Sequence, residues 1–241
     1  MIWGPPGSGK SVYLSSLVLW LTREREQPPF VVLPADPRSA TWLSCRSHTE
    51  GSTTVLDDGV PDDGLLKFRV YETRDTGHSS APRSSVVAEL TPGTAANGDP
   101  SRGLVESAAG VMLFLPVSAM SRAPDARVAH VAWLTATLAG LPALAGASPP
   151  AVRLPVAVCL TQTDGIPDAA RRDARQWLAS FGMETTSALR AHCARFEVFK
   201  LSALGHTPRV HEGVQRLAVT PEPRGVLAPI KWILEQSEAA A

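Results

Sequence analysis

Two apolar runs of strand length stand out along the chain, Gly110-Val111-Met112-Leu113-Phe114-Leu115 and Val156-Ala157-Val158-Cys159-Leu160. Neither alternates with polar residues, the pattern of a parallel strand covered on both faces, so both are expected near the centre of a sheet. Shorter strands are expected at Phe30-Val31-Val32-Leu33, closed by Pro34, and at Leu65 to Tyr71, where apolar and polar positions alternate. A further one is expected at Glu197 to Leu201. Helical stripes lie between these segments. Val12, Leu14, Leu17, Val18, Leu19 and Leu21 make Ser11 to about Arg25 apolar on most sides, as in a helix buried beside a sheet, and Pro28-Pro29 stops it. Pro124-Asp125 opens a helix with Val128, Val131, Leu134 and Leu138 on one stripe, ending near Gly140. Helices are also expected around Trp42 and Leu43 (Ser39 to Cys45), over Pro167 to Phe181, around Leu189, Cys193 and Phe196, and over Pro229 to Leu234. Strands alternating with helices predict an α/β fold, a three-layer sandwich on a mostly parallel central sheet whose ligand lies at the strands' carboxyl ends.

Between these elements, Gly51 to Gly64 is polar and turn-rich, and Thr76 to Arg102 is dense in Gly, Pro, Ser, Thr and Asn around one apolar island at Val86-Val87. The second stretch reads as a long loop, either a surface insertion or a segment that orders on a ligand. Only Met1-Ile2-Trp3 precede the first glycine, so the opening strand is short or the natural chain begins earlier.

The 241 residues suit a single domain spanning 1–241. Lys+Arg and Asp+Glu are equal at 23 each, so no overall field favours nucleic acid or an anionic membrane. Cys45, Cys159 and Cys193 are odd in number and widely spaced, which argues against a disulfide framework or zinc site and for a reducing cytoplasm. No apolar run approaches bilayer length, so no membrane insertion is expected.

One local motif changes the picture. Gly4-Pro5-Pro6-Gly7-Ser8-Gly9-Lys10-Ser11 satisfies G-x-x-x-x-G-K-[ST] at every fixed position, directly before the first helix. Glycines let backbone N–H groups turn toward phosphate oxygens, the lysine adds a point charge, the serine hydroxyl can reach Mg²⁺, and the helix dipole favours the same anion. Gly4, Gly7, Ser8, Gly9, Lys10, Ser11 and Val12 are therefore candidate nucleotide-binding residues, with Ser11 the candidate metal ligand. Lysine is scarce here, four against nineteen arginines, yet it stands where the motif requires it.

Two strand ends narrow the nucleotide. Val156 to Leu160 runs into Thr161-Gln162-Thr163-Asp164, and Val198 to Leu201 runs into Ser202-Ala203-Leu204. These resemble the [N/T]-K-x-D and S-A-x elements of P-loop GTPases in order, spacing and strand context. A carboxylate at Asp164 can accept from both guanine N1–H and N2–H₂, whereas adenine N1 is itself an acceptor. An N–H at Ala203 or Leu204 would meet guanine O6. Gln162 stands where lysine is usual and can cover the base without adding charge. By itself T-Q-T-D is also compatible with a strand followed by an Asx turn.

The third GTPase element, D-x-x-G, is not matched. After the strand at Phe68 to Tyr71 the chain offers Glu72, or Asp75 with Gly77 one residue too close, and then His78, which is a catalytic candidate or a solvated side chain. Lys10, Glu72, Asp75 and His78 are the catalytic candidates. Thr49, Thr53 and Thr54 are alternatives for a switch threonine, and Arg46, Arg74 and Arg83 lie near the right regions for an arginine finger.

Taken together with the closing Pro229-Ile230-Lys231-Trp232-Ile233-Leu234 segment, the chain resembles the Ras-like P-loop GTPase superfamily, and most of all the bacterial double-GTPase-type domains of conflict and signalling systems. The resemblance implies a cytoplasmic molecular switch that binds GTP or GDP with Mg²⁺, hydrolyses GTP slowly, and acts on other proteins. The rival readings are a degenerate GTPase-like scaffold and a P-loop ATPase. An ATPase needs an acidic pair after an apolar strand, which neither Leu115-Pro116 nor Leu160-Thr161 supplies.

Overall fold

The computed structural model of the chain describes residues 1–23, 30–47, 66–72, 86–90, 108–144, 152–207, 209–211, 214–216 and 222–238. The elements in chain order are β1 (Ile2–Trp3), α1 (Lys10–Arg23), β2 (Phe30–Pro34), α2 (Pro37–Ser47), β3 (Leu66–Glu72), β4 (Val86–Leu90) and β5 (Val111–Pro116). They continue with α3 (Val117–Arg122), α4 (Pro124–Leu144), β6 (Val156–Thr161), α5 (Ala174–Ser180), α6 (Met183–His192), β7 (Phe196–Lys200), β8 (Arg209–His211), β9 (Val214–Arg216) and α7 (Ala228–Glu238).

The central sheet has the order β1-β5-β6-β7 and is parallel throughout. Every residue of β5 and β6 is buried, in keeping with two apolar runs that do not alternate. Their side chains nonetheless divide by parity between two cores. Met112, Phe114, Ala157 and Cys159 join Tyr13, Leu14 and Leu17 of α1 and Ile230 and Ile233 of α7. Val111, Leu113, Leu115, Val156, Val158 and Leu160 join Leu134 and Leu138 of α4, Trp177 of α5 and Leu189 of α6. Helices thus cover both faces of the sheet, the α/β architecture that alternating elements imply.

A second sheet, β2-β3-β4, is antiparallel, and β4 packs against β1. The sequence reads Thr76 to Arg102 as loop, whereas Val86 to Leu90 form a strand within it. Val-Val-Ala-Glu-Leu is short, but pairing with Leu66 to Val70 of β3 supplies the partner that local propensity cannot. Other differences are of boundary. Helix α4 runs past Gly140 to Leu144 and carries Pro142 within it, while α3 precedes it as a separate short helix. The expected helix over 167–181 is shortened to α5, because Asp173 caps it by accepting a hydrogen bond from Gln176 N at 2.8 Å. Among the described residues no helix is long and apolar enough to cross a membrane.

Candidate functional site

The loop between β1 and α1 is held from within. Ser8 N donates to Pro5 O at 3.2 Å, and Gly7 (φ 71°) and Gly9 (φ 88°) adopt the left-handed backbone that glycine tolerates. At Gly4 a Cβ would stand 2.6 Å from Ser8 Oγ and 2.9 Å from Phe114 Cβ, so only glycine fits against β5 there. The ammonium of Lys10, at the first turn of α1, donates to Gly4 O at 2.6 Å and Pro5 O at 2.9 Å and lies 3.4 Å from Ser8 Oγ. Lys10 and Ser8 are buried, whereas Gly7 is exposed and Gly9 and Ser11 are half-buried. The loop therefore surrounds a fixed positive charge and presents its exposed glycine to solvent.

The end of β6 touches this loop directly. The Thr161 hydroxyl is 2.7 Å from Ser8 O and 3.1 Å from Leu115 O, a contact that β6 makes because it pairs with β5 in register Pro116 to Thr161. Gln162 takes a left-handed conformation (φ 58°, ψ 37°) unusual for a residue with a Cβ. Its Nε2 donates to Gly7 O at 2.7 Å, and its Oε1 accepts from Ser118 Oγ in the first turn of α3. Loop contact at this position is thus made by a neutral amide.

Beyond Gln162, Thr163 to Gly165 form a single 3₁₀ turn. Thr163 binds Leu201 O through its N–H (3.3 Å) and its hydroxyl (3.0 Å), tying the turn to the end of β7. Asp164 Oδ1 accepts from Ser202 Oγ at 2.7 Å, and that hydroxyl oxygen in turn accepts from Gly205 N at 2.8 Å. Thr207 Oγ1 donates to Asp164 O at 3.1 Å. Asp164 and Ser202, separated by 38 residues, are in this way one structural unit. Ala203 and Leu204 follow on the same turn, and Leu204 O accepts from Glu222 N at 2.9 Å. Lys200 donates to the carbonyls of Ala169, Ala170 and Arg172 at 2.7–3.1 Å, fixing the segment that leaves the 3₁₀ turn.

Fewer of the catalytic candidates join this cluster. Glu72 ends β3, paired with Phe30 of β2, and in that antiparallel sheet it is β4 that packs against β1. Asp75 and His78 lie outside the described residues, as do Thr49, Thr53, Thr54, Arg74 and Arg83. Two features were not read from the sequence. One is Ser118, which carries no motif and is brought to Gln162 by the parallel pairing of β5 and β6. The other is β4, which packs against β1 and ends at Leu90, where the chain continues Thr91-Pro92-Gly93. The signal for it was the Val86-Val87 island. Among the described residues no group of three or more His, Cys, Asp and Glu is placed to hold a metal.

Compared with known proteins, the chain matches no family model and no curated sequence.

Proposed function

We propose that this chain is a GTP-binding switch domain of the P-loop class. The observation that carries the reading is the joining of three sequence elements at the carboxyl ends of β1, β6 and β7 in one parallel sheet: the Gly4–Ser11 loop, Thr161-Gln162 against it, and the Asp164–Ser202 pair after it. The residues present fit a triphosphate, since a cradle that excludes a Cβ at Gly4 surrounds an ammonium already oriented by two carbonyls. In this reading Lys10 and the loop amides hold the phosphates, and Ser11 supplies a hydroxyl to Mg²⁺, a cation that keeps phosphate and water ligands and needs few from protein. Bound there, Mg²⁺ would neutralise charge on the phosphate oxygens. Ser202 orients the Asp164 carboxylate for guanine N1–H and N2–H₂, while Ala203 and Leu204 offer amides to O6.

Hydrolysis is slow. The chain does not match D-x-x-G, whose acid would hold the metal through water, and the rate belongs at or below the roughly 10⁻⁴ s⁻¹ of an unassisted small GTPase. That same mismatch favours the second reading, a nucleotide-binding scaffold without turnover. Calorimetric titration with GTP and ATP decides the ligand: GTP is expected to bind more tightly, and equal affinities would remove Asp164 from base recognition. Lys10→Ala should abolish binding of either, because the charge-assisted contact is made in a buried cradle. Single-turnover phosphate release with and without Mg²⁺ separates switch from scaffold.

A further inference from the structure

We propose that Ser118 is a positioning residue of this site, acting through Gln162 to hold the phosphate loop open. The proposal rests on the nucleotide-binding reading and adds to it a residue that belongs to none of the three motifs. A carboxamide has one donating and one accepting end, and Gly7 O can only accept, so the NH₂ end of Gln162 must face the loop. The oxygen at the other end then needs a donor, and Ser118 Oγ supplies it. Ser118 is buried, and its place is fixed because α3 follows β5 with no intervening residue. The chain Ser118 to Gln162 to Gly7 therefore runs from the helix turn directly after β5 to the exposed glycine of the loop.

The backbone supports a role for this chain beyond packing. Gln162 is held in a left-handed conformation between Thr161, bound to the loop, and Thr163, bound to Leu201. A non-glycine residue kept in that region by its neighbours is a feature concentrated at functional sites. Gly7 and Gly9, both left-handed, have the conformational freedom to let the loop collapse, and the Gln162 amide grips the carbonyl of one of them. A lysine in place of Gln162 could grip the same carbonyl without needing any acceptor-side partner. Ser118 is thus required only because the residue is glutamine.

That dependence gives the test. GDP is titrated calorimetrically into the wild-type chain, Ser118→Ala, Gln162→Lys and the double variant Ser118→Ala/Gln162→Lys. Ser118→Ala is expected to weaken GDP binding about three- to tenfold in the wild-type background and less than about twofold in the Gln162→Lys background. Equal losses in both backgrounds would overturn the proposal, since Ser118 would then act through α3 alone. In nucleotide-free protein, amide exchange over Gly4 to Lys10 should accelerate in Ser118→Ala and in Gln162→Leu, with Ser118→Ala/Gln162→Leu no faster than the faster of these two. Unchanged exchange in both single variants would also overturn it. Absence of GDP binding by the wild-type chain would refute the nucleotide reading, and the exchange measurement would still decide whether Ser118 holds the loop.

Discussion

Ser202 donates its hydroxyl hydrogen to Oδ1 of Asp164 at 2.7 Å, across 38 residues of chain, and so fixes the direction of the carboxylate. Each carboxylate oxygen has two lone pairs, so Ser202 takes one of them on Oδ1 and leaves an acceptor position on both oxygens.

Asp164→Asn tests that role. An amide brings a donor toward the guanine N2–H₂ group and loses an acceptor, so GTP affinity should fall by roughly 1–3 kcal/mol, the worth of a bidentate base contact. Xanthosine triphosphate, with a carbonyl where guanine has the amine, should bind the variant better than it binds the wild type. Competition titration against a fluorescent nucleotide measures both, and an unchanged order of preference would exclude Asp164 from the base site.

Two glycines of the loop should respond differently to alanine. Gly4→Ala forces a Cβ to within 2.6 Å of Ser8 Oγ and 2.9 Å of Phe114 Cβ, and is expected to cost roughly 1–3 kcal/mol through overpacking and to displace the loop. Gly7→Ala meets nothing within 4 Å and should cost only about 1–2 kcal/mol for its left-handed backbone. Urea denaturation of the two variants gives the stability difference, and nucleotide titration shows whether only Gly4→Ala distorts the cradle.

On α4, Leu134 is fully buried in the core against the sheet and Val128 is 66% exposed, although both lie on the apolar stripe. Leu134→Ala should destabilise the fold by about 2–5 kcal/mol, whereas Val128→Ala should change it by less than about 0.5 kcal/mol. Equal midpoints in denaturant would mean that α4 does not pack on the sheet through this stripe.

Burial pushes the Cys193 thiol up to about 12 and holds the Cys159 thiol well above its usual range. In the native protein both should resist thiol reagents at pH 8, and both should react once the chain is unfolded, as residue-resolved mass spectrometry after labelling would show. For Cys193 the sign of the pH effect follows. The unfolded thiol ionises from about pH 8.5 and the folded one only near 12, so stability is full below about pH 8.5 and falls as pH rises through that window. Cys193→Ser should lessen the alkaline loss measured by denaturation at pH 7 and pH 10, and an unaltered pH profile would show that this thiol stays protonated in both states.

How much was legible in the sequence differed from element to element. The loop Gly4 to Ser11 and the buried strands β5 and β6 were readable because their signals are local: fixed spacing in one case, an unbroken apolar run in the other. Helix α5 was misjudged because Pro167 resembles a start while the cap is Asp173. β4 was read as loop because its five residues sit in a polar, proline-rich stretch and become a strand only by pairing with β3.

Residue types and their order along the chain thus determined by themselves where a phosphate-binding turn and an acid suited to guanine could stand, because backbone freedom and hydrogen-bonding capacity belong to single residues. Tertiary structure alone decided that Asp164 meets Ser202, that Gln162 bridges Ser118 and Gly7, and that β4 lies against β1. Those contacts depend on which strands pair and in what register, and pairing is settled by burying two apolar faces at once, a property of the whole chain.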